Sequence, residues 1–90
     1  VGLVFATDGR IPAFNFVVLK DTKNYFPAYA ITPTVREETL EANPDLADHL
    51  NKLSALFDDA TMSALNAEVD VEKKSVTEVA QNFLKAKGLL

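Results

Sequence analysis

The spacing of hydrophobic positions along this chain changes near residue 34. Before that point they fall in short runs. Val1 to Thr7 is apolar, with β-branched and aromatic residues, and is closed by the turn dipeptide Asp8-Gly9. Phe14-Asn15-Phe16-Val17-Val18-Leu19 follows, bounded by Pro12 and by Lys20-Asp21. Both runs predict strands. Asp21 to Asn24 predicts a polar turn and Tyr25 to Tyr29 an aromatic extended stretch, where Pro27 and Pro33 oppose helix. Ala30-Ile31-Thr32 predicts a third short strand.

After residue 34 the spacing becomes helical. Thr34-Val35-Arg36-Glu37 has the form of a capping box, and Asn43-Pro44 offers an N-cap followed by Pro at the first helical position. Leu46, Leu50, Leu53 and Phe57 then make one apolar stripe. Asp58 predicts the cap of a third helix, with Met62, Leu65 and Val69 on its apolar side. Ser75-Val76-Thr77-Glu78 is a second capping box, followed by Val79, Ala80, Phe83 and Leu84 on one face and by Gly88 at the stop. A strand-rich start and about four helices predict the end of an α/β domain, α+β when taken as an isolated fragment. Each helix has an apolar face, and two or three short strands are a thin cover for them. The chain also begins inside an apolar run without methionine, so it reads as cut from something longer.

Composition narrows the function. A net charge of -4 argues against a nucleic-acid partner, because that affinity comes largely from Lys and Arg neutralising phosphates. With no cysteine, a disulfide framework, a thiolate metal site and a cysteine nucleophile are excluded together. Asp45 and His49, four apart, could clip a metal, but a metal site needs three or four convergent ligands, so a solvated helix flank is the better reading. Ser54, Ser63 and Ser75 have no histidine partner at an interpretable spacing. Gly2, Gly9 and Gly88 form no phosphate-cradling loop, and Lys73-Lys74 is too short for a nucleic-acid patch. The expectation is a protein that is not an enzyme. What remains is aromatic: Phe5, Phe14, Phe16, Tyr25, Phe26 and Tyr29 all lie in the first third. Most such residues are core, but Tyr29 sits between two prolines, where a ring face can be offered to a cation.

Several separated motifs, in order, resemble one family. They are Ala6-Thr7-Asp8-Gly9-Arg10-Ile11, Val18-Leu19-Lys20-Asp21 with Lys23, Phe26-Pro27-Ala28-Tyr29, Pro33-Thr34-Val35-Arg36 with Glu38, and Leu65-Asn66-Ala67-Glu68-Val69-Asp70. The chain is similar in these to the C-terminal portion of the glycine betaine/carnitine/choline-binding proteins of ABC importers. That resemblance implies the C-terminal part of a two-lobed, type II periplasmic-binding-protein fold. Residues 1–26 would finish the second lobe; residues 27–90 would supply the crossover and the helices completing the first. It implies no cofactor, a quaternary ammonium small molecule as ligand, ABC permease subunits as partners, and a periplasmic or membrane-anchored extracellular location. It also implies an aromatic box, with Tyr29 and Phe5 as ligand-binding residues. At Phe5 the family often carries tyrosine, so a ring face is kept and a hydroxyl lost; Ala28 stands where a proline is common. A half-lobe with uncovered faces is further expected to pair as a homodimer. The alternative reading is a stand-alone α+β protein-interaction domain.

Overall fold

The computed structural model describes residues 1–90. It contains five helices and no strand: α1 (Arg10–Ala13), α2 (Glu37–Ala42), α3 (Leu46–Ser54), α4 (Asp59–Asp70) and α5 (Val76–Ala86). The expected α/β class, with short strands ahead of the helices, is therefore corrected. Strands exist only as paired ladders, and none of the three expected runs finds a partner. The connection between the first two explains why. Parallel strands need a crossover of a dozen or more residues, and the simplest antiparallel connection is a two-residue hairpin. Here the intervening residues coil into the single helical turn of α1. Its exit is built by Asn15, which takes a left-handed φ of 54°, while Phe16 N–H donates to Ile11 C=O at 2.9 Å and Asn15 N–H to Pro12 C=O at 3.4 Å. This is a Schellman stop with asparagine in the place glycine usually takes.

The chain forms two units: residues 1–20 with 59–90, and residues 21–58. In the first, α4 packs against α1 and α5. The covered positions are small ones: Ser63 and Ala67 on α4, Gly9 ahead of α1, and Val79 on α5. Met62, Leu65 and Val69, the expected stripe of α4, are only half-buried. Gly9 is held so close to α4 that an added Cβ would lie 2.4 Å from the Ala67 nitrogen. The α5 cap forms as its sequence requires, Ser75 Oγ accepting from Glu78 N–H at 3.1 Å. Gly88, at φ 71°, ends α5 in a Schellman motif closed by Leu89 N–H to Leu84 C=O at 2.9 Å.

In the second unit the Asp21 carboxylate ties down the expected polar turn, accepting from Lys23 N–H at 3.2 Å and Phe26 N–H at 2.9 Å. Helix α2 starts from Arg36, which has extended φ and ψ, and not from Thr34. This start places Glu37 and Glu38 in the first turn, beside the positive end of the helix dipole. In α3 the stripe of Leu46, Leu50 and Leu53, continued by Phe57 beyond the helix, is half-buried throughout.

No large side chain is fully buried anywhere in the chain. The accessible surface is 7534 Å², whereas a self-contained folded protein of 9.8 kDa exposes about 5,200 Å². Roughly 2,300 Å² more surface is open than a complete domain of this mass would leave. Much of it is the apolar run of residues 14–19 and the first five residues, the segments whose pattern asks for a sheet.

Candidate functional site

The first unit carries an open cleft of about 810 Å³. One wall is the N-terminal segment, with Phe5, Thr7, Asp8, Arg10 and Phe14; the other is α4 and its exit, with Asn66, Val69, Asp70, Val71 and Lys73. Each wall draws on one of the motifs quoted above, Thr7, Asp8 and Arg10 on one side and Asn66, Val69 and Asp70 on the other, far apart in sequence and adjacent in space. What joins them is Gly9 against the α4 backbone and a hydrogen bond from Asn66 Nδ2 to the Thr7 carbonyl at 2.7 Å.

Asp8 organises the N-terminal wall. Its carboxylate accepts from Arg10 N–H at 2.9 Å, from Arg10 Nε at 2.9 Å and from Arg10 Nη2 at 2.6 Å. Capped and paired in this way, the carboxyl is held down to about 2 from an ordinary 3.8, chiefly by the side-chain and backbone hydrogen bonds from Arg10. The Asp8 charge is consumed inside the wall, and Arg10, two-thirds exposed, presents its remaining donors to solvent. On the opposite wall Lys73, at a left-handed φ of 62°, donates to the Asp70 carbonyl at 2.7 Å, and Lys74 bridges Glu68 at 2.8 Å and Glu72 at 3.0 Å. These lysines close the C-terminal end of α4, where cations are favoured.

Phe5 stands at this cleft with two-thirds of its surface exposed (67 %). Tyr29 lies in the second unit, in an irregular segment between Pro27 and Pro33, and is equally exposed (68 %). His49 Nδ1 donates to the Asp45 carbonyl of its own helix at 2.7 Å, and no group of three or more His, Cys, Asp or Glu side chains gathers in the chain. Asp59 is the first-turn acid of α4. Reasoning from residue types passed over Arg10, Asn66 and Asp70 as cleft residues. The signal that could have found them was their membership in the two motifs that meet here.

The cleft offers the Phe5 and Phe14 rings, the Asp70 carboxylate and the paired Asp8 and Arg10. The chain belongs to the family of substrate-binding domains of ABC-type glycine betaine transport systems, which it matches over residues 1–86. It is 46% identical over 84 residues to the glycine-betaine-binding protein of Pseudomonas aeruginosa, with 93% of this chain and 27% of that protein covered. It is 40% identical over 84 residues to the carnitine transport binding protein OpuCC of Listeria monocytogenes, with the same coverage. The ergothioneine transport permease/ergothioneine binding protein EgtU of Helicobacter pylori is 41% identical over 86 residues, 96% of this chain and 16% of that protein. The chain thus spans about a quarter of the length of the first two.

Proposed function

We propose that this chain is part of the solute-binding component of an ABC importer for quaternary ammonium compatible solutes such as glycine betaine, choline and carnitine. The observation that carries the proposal is the family match over residues 1–86. Chemistry supports the ligand class. A trimethylammonium group has no N–H to donate, so a site recognises it through aromatic faces, each contributing about 0.5–2 kcal/mol depending on desolvation. Phe5 and Tyr29 are the proposed ring walls. In support, each ring is about two-thirds exposed, and Phe5 borders a cleft that also holds the Asp70 carboxylate. The other rings, and the cationic groups for a betaine carboxylate, belong to the larger part of the protein. The proposed partners are the ABC permease subunits, and the proposed location is the periplasm or the outer face of the bacterial membrane.

The test is a thermal-shift series on the full-length protein with glycine betaine, choline, carnitine and ergothioneine. A ligand that binds only the folded state at a hundred times its Kd stabilises by about 2.7 kcal/mol, a readily measured rise in melting temperature. A flat response to all four at millimolar concentration refutes the ligand class.

A further inference from the structure

Asp8-Gly9 is the one place in the chain where aspartate precedes glycine, and that dipeptide is chemically labile. The glycine nitrogen attacks the aspartate Cγ and a C–N bond forms. The carboxyl C–OH bond breaks, and its hydroxyl leaves as water with the amide proton, giving a five-membered succinimide. Water then opens the ring at either carbonyl. One opening returns aspartate; the other leaves isoaspartate, whose backbone runs through the side chain and is one methylene longer. Glycine permits the closure because it has no Cβ in the way. The carboxyl must be neutral to lose its hydroxyl, and it must turn toward the glycine nitrogen.

The fold opposes these requirements at several atoms. The Asp8 carboxylate accepts three bonds from Arg10, through its N–H, Nε and Nη2, and only 18% of the Asp8 side chain is exposed. Turning toward Gly9 breaks those bonds. The Asp8 carbonyl accepts from Ile11 N–H at 3.1 Å, which holds the Asp8-Gly9 peptide against rotation. Gly9 itself rests on the backbone of Asn66 and Ala67, where even a methyl group would collide. With the Asp8 pKa held at about 2 and not 3.8, the neutral carboxyl is about 60-fold rarer at pH 5. The stakes are structural, since an extra methylene just ahead of Gly9 would lift it off α4 and part the two walls of the cleft.

We infer that Asp8-Gly9 is an isomerisation site kept closed by Arg10, whose guanidinium and backbone N–H hold the Asp8 carboxylate out of reaction with the Gly9 nitrogen. The inference does not depend on which ligand the protein binds.

The experiment ages the full-length wild type, Arg10→Ala and Arg10→Lys at pH 5 for several weeks, folded and in urea. Isoaspartate at residue 8 is read by peptide mapping, with thermal melts as the folding control. Folded wild type should isomerise at least about 10-fold more slowly than wild type in urea, and folded Arg10→Ala about 10- to 60-fold faster than folded wild type. Arg10→Lys should fall between, because it keeps the backbone N–H and a charge but loses the two-pronged grip. In urea all three should age alike. If folded wild type isomerises as fast as unfolded, or Arg10→Ala no faster than wild type, the inference is overturned. It is also overturned if the variants differ from wild type as much in urea as when folded, since the effect then belongs to the local sequence. Should Arg10→Ala not melt cooperatively, Arg10→Lys carries the comparison and must exceed wild type.

Discussion

Replacing Gly9 by alanine tests the contact on which the first unit depends. Gly9 has φ −64° and ψ −18°, a right-handed conformation that alanine adopts without strain. On backbone entropy alone, Gly→Ala at such a position stabilises by about 0.4–1 kcal/mol. The surroundings reverse that sign. The new Cβ would lie 2.4 Å from the Ala67 nitrogen, 2.6 Å from the Asn66 carbonyl carbon and 2.7 Å from the Ala67 Cα. All three are backbone atoms of α4, so no side chain can swing aside. Comfortable separation of carbon atoms is about 3.5–4.0 Å, and restoring it requires α1 and α4 to part by roughly 1 Å. Overpacking costs about 1–3 kcal/mol, and three backbone contacts under 3 Å put this site in the upper half of that range, so a net loss of about 1–2.5 kcal/mol remains after the backbone gain. Urea unfolding of the full-length protein should therefore show a lower midpoint for Gly9→Ala with an unchanged slope. Gly2→Ala is the control, because nothing lies within 4 Å of a Cβ there, and it should be neutral or slightly stabilising. If Gly9→Ala is as stable as wild type, the close approach of α1 to α4 is not a feature of the whole protein.

Other expectations follow from the same structure. Taken alone at micromolar concentration, the chain should self-associate, because its excess surface of roughly 2,300 Å² falls in the range that obligate pairs bury; sedimentation showing a cooperatively melting monomer would contradict this. In the full-length protein, Tyr29→Ala should weaken betaine or choline binding about 5- to 30-fold and Tyr29→Phe much less, since the ring face survives; unchanged calorimetric affinity for Tyr29→Ala removes it from the site. Phe5→Tyr should keep or improve that binding. Asp8 should titrate near 2 by carboxyl NMR. Its folded pKa lies below the unfolded one, so its contribution to stability is complete above about pH 4 and is lost as pH falls through 2. Arg10→Ala should return the titration toward 3.8, and a wild-type value already there would refute the pairing.

What could be read along the chain was local. The Ser75 cap and the Gly88 stop of α5 are satisfied by residues within a turn, so their sequence patterns sufficed. The stripe from Leu46 to Phe57 and the polar turn at Asp21 were legible for the same reason. The failures lie where the outcome depends on residues elsewhere. Residues 1–7, 14–19 and 30–32 have strand-like composition, but a strand is completed by a partner's hydrogen bonds, and none of these runs pairs. Asn15 looked like one member of an apolar run and is instead the left-handed stop of a helical turn, a role its side chain tolerates and its neighbours conceal. Thr34 had the pattern of a cap, but α2 takes a start that puts two glutamates at its positive end.

The family was legible in the sequence alone, because motifs recur in order whether or not their partners are present, and the proposed ligand class rests on it. Only the tertiary structure decided that Thr7 to Arg10 lies on the turn of α4 carrying Asn66 and Ala67. That contact depends on a missing side chain at Gly9 and one amide bond across 59 residues. Neither has a periodicity, and a glycine that could equally be a turn residue shows its purpose only when the backbone it must approach is in place.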